Sequence, residues 1–388
     1  MIGAATDRFL LGEFLAQWGP FARHDLSSSD SETLSLAGLL QVASAENAAR
    51  WNAHGFAYTD PRGHLRLRTA IAARHDHLAA DQILCCCGAQ EAIYCVLQAI
   101  LGPHDFARDQ HALLLLPIYQ PSELALQRLC EVTGIELQEA DGWQPDIDRI
   151  EAAIRPETRL ILMNYPNSPT GASLDPDRLD ALVSLCRRHG LWLINDEIYR
   201  QTEIVQPGGR APMLADCYER GVSINGLSKG FGLPGLRVGW IACHDRALLH
   251  HALIVKSSLS SCLAASSEIL AEIALHAEPR IIATQRAIGL ANLHYLRECS
   301  MGFTDLLELD QPRNLAFISC RYLGDDSAAS FATRLVRDAG VLVLPTILWR
   351  SSLAPVIQDC VRLGLGHTRC RTAIEALAEA WNAIRIAA

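Results

Sequence analysis

Lysine is nearly missing from this chain. Of 34 basic residues in 388, only Lys229 and Lys256 are lysines, so any chemistry that needs a primary amine side chain has two candidates. Aromatic residues are also sparse at 6%, and no apolar run approaches the roughly 18 residues that a membrane-spanning helix requires. No Cys-x-x-Cys occurs, and the thirteen cysteines are odd in number and irregularly spaced. That excludes a disulfide framework in a chain of this length and points to a reduced, cytoplasmic protein. The N-terminus MIGAATDRFLL lacks a basic segment followed by a long apolar core, so no secretory signal is expected. Basic residues form no stripe, and the net charge of −9 argues against nucleic acid as a partner. His75, His77, His250 and His251 fall in no metal-binding spacing, and no metal is expected.

What is present is a globular chain, 49% hydrophobic and 20% charged, long enough for two domains. Short apolar runs at 82–87 (QILCCC), 112–117 (ALLLLP), 159–165 (RLILMNY), 191–196 (LWLIND), 222–226 (VSING) and 237–243 (RVGWIAC) read as strands. Helical stretches separate most of them: one follows Gly88 to Leu101, one starts near Ser122, and one spans Pro176–His189. Such alternation predicts an α/β fold with a mostly parallel sheet covered on both faces. Beyond it, long helical stretches run to Arg297 with a break near Pro279. Strands at 315–319, 341–345 and 361–365, with helices near 328–338 and 367–386, then predict a smaller α+β unit. The expected division is a large domain over 45–275 and a small one built from 1–44 and 276–388.

In open α/β sheets, sites form at the carboxyl ends of strands. Gly88-Ala89-Gln90-Glu91 is a strand–turn–helix junction whose small residues suit an anion at a helix N-terminus, or simply make a glycine turn. Asp196 ends an apolar strand; a buried carboxylate there either holds a proton on a partner or caps a helix. Lys229 sits in a glycine-rich turn, GLSKGFGLPGLRVG, with Arg237 eight residues on. A desolvated lysine can form Schiff bases and an arginine can grip a phosphate, while the plainer reading is a structural turn. Lys256 lies on a helical stretch without a supporting motif and is expected at a surface or helix end.

Taken in order, these segments resemble the class I/II aminotransferases, fold-type-I enzymes that use pyridoxal 5'-phosphate. The segment 226–239 resembles their lysine signature, NYPNSPTG (164–171) their N-x-P-x-N-P-T-G motif, Asp196-Glu197-Ile198-Tyr199 their D-E-x-Y motif, and Arg362-Leu363-Gly364 their carboxylate-binding R-x-G. The resemblance implies a large domain with a seven-stranded, mostly parallel sheet plus a smaller α+β domain, a bound pyridoxal phosphate, and a homodimer with shared active sites. It makes Lys229 the Schiff-base residue, with Asp196 on the pyridine nitrogen, Tyr199 on the ring hydroxyl and Tyr119 stacked on the ring. Ala89, Gln90, Ser228 and Arg237 would bind phosphate, and Tyr58 would reach the phosphate across the dimer. Arg362 would hold the substrate carboxylate. Ser168 departs from the family asparagine beside the ring hydroxyl, and Gly226 stands where many members have a phosphate-binding serine.

The expected reaction is transamination of an L-amino acid in specialised amino acid metabolism. A second possibility comes from the segment Asp25-Leu26-Ser27-Ser28-Ser29-Asp30, which resembles that of guanidino amino acid cyclases of the capreomycidine synthase type. Such an enzyme would eliminate a hydroxyl from an arginine-like substrate and close a ring. Ser28 would then bind substrate and Asp25, Asp30 or Glu32 would face a guanidinium; alternatively the serines form a polar turn. A ligand-sensing module of a transcriptional regulator would need a DNA-binding domain, for which the acidic first 40 residues are poorly suited.

Overall fold

The computed structural model describes residues 8–102, 110–302, 304–354 and 359–387. Its strands are β1 (His24–Asp25), β2 (Ile83–Cys86), β3 (His111–Leu116), β4 (Glu131–Glu136), β5 (Thr158–Asn164), β6 (Trp192–Asp196), β7 (Gly221–Gly226), β8 (Gly239–Cys243), β9 (Leu307–Leu309), β10 (Phe317–Tyr322), β11 (Val341–Leu342), β12 (Leu344–Pro345) and β13 (Cys360–Gly364). Seven of them form one sheet in the order β2-β8-β7-β6-β5-β3-β4. Neighbours from β7 to β4 pair in parallel, and β8 runs against both β2 and β7. The central strands carry continuous apolar runs because both faces are covered, as parallel sheets require. Helices Ala89–Leu101 and Arg246–Ser257 pack on one face and helix Pro176–His189 on the other.

A second sheet, ordered β12-β13-β10-β9 and antiparallel throughout, packs against helices Glu278–Ser300, Ala328–Ala339 and Cys370–Ala387. The N-terminal segment is stitched to it: β1 pairs in parallel with β11, and Leu26 is buried in the same core. Two glycines allow the close approach. A Cβ at Gly364 would collide with the Ser28 carbonyl, and one at Gly366 with that of Asp30.

Several local expectations shift. Strand β4 had no counterpart in the pattern reading, because the sheet-edge sequence EVTGIE is only weakly apolar and most of it is half-exposed. The helix near Ser122 is short, Gln120–Gln127, and gives way to it. The run 341–345 is not one strand; β11 pairs with β1 and β12 with β13. The helical break expected near Pro279 falls at Ala277, with the proline in the first turn of the next helix, where it costs no hydrogen bond.

Lys256 meets one arm of its expectation, the helix end, and not the other, the surface. It does lie in the last turn of helix Arg246–Ser257, but it is fully buried rather than at the surface. Its Nζ donates to the carbonyls of Pro61 at 2.9 Å and Ser261 at 2.8 Å, so the covering loop supplies the polar partners a buried ammonium needs. All thirteen cysteines are free. Among the described residues no helix is long and apolar enough to cross a membrane, and no group of histidine, cysteine and carboxylate side chains could hold a metal ion.

Candidate active site

The carboxyl ends of β2, β3, β5, β6 and β7 open onto one edge of the large sheet. There they meet the Leu26–Asp30 segment and β13 of the small sheet around a cavity of about 390 Å³. Ala89, Gln90, Tyr119, Ser168, Asp196, Tyr199, Ser228, Lys229, Arg237, Arg362 and Ser28 all line it, so eleven of the twelve expected site residues converge.

One end of the cavity is an anion cradle. Gly88, at φ +94°, precedes helix Ala89–Leu101, and no side chain caps the first turn. Its free N–H groups and dipole favour a negative charge. Arg237 adopts a left-handed conformation at φ +53°, uncommon outside glycine. That bend brings its Nη2 to within 3.4 Å of the Cys87 carbonyl, beside the helix start. Gly88 leaves room for the guanidinium, and Gly239 lets β8 pass under the backbone of Ala89, since a Cβ at either position would collide.

Asp196 lies on the cavity floor at the end of β6. Burial raises its pKa to about 7, and the neighbouring Glu197 carboxylate adds to the rise, against the Ile198 N–H and Lys229. Its Oδ1 accepts from the Ile198 N–H at 3.1 Å. Asn164, its register partner on β5, donates from Nδ2 to the Asp196 carbonyl at 2.7 Å and accepts the Ser168 N–H at 3.0 Å. Tyr119 precedes helix Gln120–Gln127 and is braced edge-on by Phe9, with ring centroids 5.7 Å apart.

Lys229 Nζ donates to Ser29 Oγ at 2.9 Å, and Ser29 Oγ is in turn 2.9 Å from the Tyr199 hydroxyl. Burial works to raise the Tyr199 pKa, but Lys229, Arg362 and hydrogen bonds to Ser29 and Ser168 outweigh it, and the net shift is downward.

Arg362, on β13, is buried. Its guanidinium lies over the rings of Trp349 and Phe317, at 4.7 and 5.1 Å from their centroids. Nη1 donates to Ser168 Oγ at 3.1 Å and Nη2 to the Ser27 carbonyl at 2.8 Å, while Nε has no partner among the described residues. Burial lowers its pKa, countered by Tyr199 and Asp30. A buried guanidinium without a direct carboxylate partner is costly and is suited to receiving an anion.

The remaining expectations divide. Tyr58 does not line the cavity of its own chain; it is 93% exposed, on the loop that Lys256 tethers. Ser28 lines the cavity, but the serine bonded to Lys229 is Ser29. Ser27, Ser28 and Ser29 all line the cavity, so no local pattern singles out Ser29. Of the three acids considered for a guanidinium, Asp25 pairs with Arg369 at 3.0 Å and Glu32 accepts from Thr368 at 2.6 Å. Asp30 alone lines the cavity, backed by His367 at 3.3 Å. Burial acts to raise its pKa, yet the bond to His367 and the charge of Lys229 bring it below the usual value. Leu11, Leu15, Leu344 and Trp349 add an apolar wall that no motif signalled.

The sequence pattern of aminotransferase class I and II matches residues 24–377, and the chain belongs to that family. It is 34% identical over 227 residues to the arginine–pyruvate transaminase of Pseudomonas aeruginosa, an alignment covering 56% of this chain and 54% of that protein. It is 26% identical over 284 residues to the capreomycidine synthase of Streptomyces vinaceus, covering 73% of this chain and 71% of that one. In structure it resembles a PLP-dependent aminotransferase from Streptococcus suis, with a TM-score of 0.86, 24% identity and 97% of each chain covered.

Proposed function

We propose that this enzyme is a pyridoxal-phosphate-dependent transaminase of an L-amino acid. The observation that carries the reading is Arg362: a buried guanidinium with an unpartnered Nε, opening on the same cavity as an amine, Lys229, and a buried carboxylate, Asp196. The residues fit the cofactor at each of its polar points. The uncapped helix start with Gln90, Ser228 and Arg237 suits the phosphate. Asp196 suits the protonated pyridine nitrogen, Tyr199 the ring hydroxyl and Tyr119 the ring face.

Pyridoxal phosphate, when bound, supplies an aldehyde that takes the amino group and a ring that accepts the electrons released at Cα. The chain supplies the rest. Lys229 would hold the cofactor through its amine and would move the proton at the substrate Cα. Asp196 would pair with the protonated pyridine nitrogen, whose charge would favour the carboxylate against its burial. Arg362 grips the substrate carboxylate through two parallel N–H bonds, which orients Cα toward Lys229.

Tyr58 and the neighbouring Phe56, 93% and 92% exposed, belong in this reading to a homodimer in which Tyr58 reaches the partner's phosphate. A second reading, elimination and ring closure on an arginine-like substrate, is favoured by one feature, the Asp30 carboxylate facing the cavity. One experiment separates the two. Amino acids are added singly to the cofactor-loaded enzyme, without keto acid, and the visible absorption is followed. Under transamination it bleaches and a keto acid restores it; spontaneous recovery with a dehydrated, ring-closed product marks elimination and ring closure. Lys229→Ala must abolish both covalent cofactor attachment and turnover, and retained turnover overturns the assignment.

A further inference from the structure

The segment Leu26–Ser31 is clamped between the two sheets. The Gly364 N–H donates to the Leu26 carbonyl at 2.7 Å, Arg362 to that of Ser27 at 2.8 Å, and the Ser31 N–H to the Lys229 carbonyl at 3.1 Å. Ser29 is therefore held in place by backbone bonds on both sides, and it is buried. Its hydroxyl stands between two functional groups, 2.9 Å from Lys229 Nζ and 2.9 Å from the Tyr199 hydroxyl. Lys229 and Tyr199 do not bond each other directly. The ammonium lies over the face of the phenol ring, 5.5 Å from its centroid, so Ser29 is the hydrogen-bonded route between them.

We propose that Ser29 is a further catalytic residue, whose hydroxyl passes a proton between the Lys229 amine and the Tyr199 phenol. The inference rests on the roles given above to Lys229 and Tyr199. An ammonium has no lone pair, so Lys229 must lose a proton before it can act as nucleophile or base. In the relay a Lys229 N–H bond breaks as the proton goes to Ser29 Oγ, and the original Ser29 O–H bond breaks as its proton goes to the Tyr199 phenolate oxygen. One N–H and one O–H bond are lost and two O–H bonds form. No electrons change hands, and the products are a neutral amine and a neutral phenol. The surroundings favour the phenolate form that the relay requires: burial opposes its charge, but Lys229, Arg362 and two serine hydroxyls favour it more strongly. Ser168, which stands in the family's asparagine position, accepts from Arg362 Nη1 at 3.1 Å and continues the line of hydroxyls to the second cation.

The test compares Ser29→Ala and Ser29→Thr with the wild type, using Tyr199→Phe as the reference that isolates one phenol. In cofactor-free protein, the ultraviolet absorption of tyrosinate is titrated with pH. The Tyr199 transition is expected to move to higher pH in Ser29→Ala and to return toward wild type in Ser29→Thr. In loaded enzyme, the amino acid half-reaction should slow about ten- to hundredfold in Ser29→Ala, the worth of one hydrogen bond to a charged group, with a displaced pH profile and recovery in Ser29→Thr. A phenol titration and pH profile that superimpose on wild type in Ser29→Ala overturn the relay. Equal impairment in Ala and Thr variants of normal melting temperature overturns it too. Failure of the cofactor assignment is distinguishable, since it shows in the wild type as no covalent cofactor at Lys229, while the phenol titration still reads the relay.

Discussion

Arg362 donates to Ser168 at 3.1 Å, and this bond ties the small antiparallel sheet to the turn that follows β5 of the large one. The serine is shorter than the asparagine common in the family, and it serves the guanidinium that would hold the substrate. The two sheets thus meet at the group that would bind substrate, so the spacing between Arg362 and Lys229 depends on how the units pack.

Arg362→Lys keeps the charge and loses the fork. A lysine ammonium cannot hold the Ser27 carbonyl, the Ser168 hydroxyl and a carboxylate in one plane. We expect kcat/KM for amino acid substrates to fall on the order of 10²-fold, mainly through KM, with cofactor absorption unchanged. Steady-state kinetics with spectra of the loaded variant check this, and an unchanged KM would remove Arg362 from substrate binding.

Asp196 makes the cofactor-free protein sensitive to pH in a defined direction. Its pKa is raised from 3.8 to about 7 by burial, so the folded state binds the proton more tightly than the unfolded chain. The stability this contributes is complete below the unfolded value and is lost as pH rises through about 7, up to about 4 kcal/mol in all. Asp196→Asn removes that slope, so relative to wild type the variant should gain stability between pH 4 and pH 8. Glu268, also raised to about 7 by burial, keeps its own slope in both proteins and cancels in the difference. Urea denaturation across that range measures it, and parallel curves for the two proteins would refute it.

Lys256→Met replaces the buried ammonium with an apolar chain of similar length. The carbonyls of Pro61 and Ser261 then lose their donor, at a cost of about 1–3 kcal/mol. The urea midpoint should fall with an unchanged slope. The loop that carries Tyr58 should also become more accessible to protease. A midpoint equal to wild type would refute this.

Much of the large sheet was legible in the sequence because its strands are continuous apolar runs and its helices are punctuated by glycine and proline, which act within a few residues. Strand β4 was not, because an edge strand buries too little to show a pattern. Among the cavity residues, Lys229, Asp196, Tyr199 and Arg362 were readable from motifs, since Asp196 ends β6, Tyr199 and Lys229 follow within three residues of a strand end, and Arg362 lies in the apolar run of β13. Ser29 and Trp349 were not, since nothing local distinguishes one serine of Ser27–Ser29 or one buried tryptophan from another.

By itself, then, the sequence determined the strand–helix alternation, the family, and the two lysines of which Lys229 lines the cavity. Tertiary structure decided which serine meets that lysine, which of three acids faces the cavity, and why the other lysine is buried. The physical reason is range. Periodicity and turn chemistry act over neighbouring residues, whereas Ser29, Tyr199, Lys229 and Arg362 come from segments far apart in the chain. Tyr199 and Lys229 follow the paired strands β6 and β7, and the backbone bonds from Gly364 to Leu26 and from Ser31 to Lys229 hold Ser29 between them and β13.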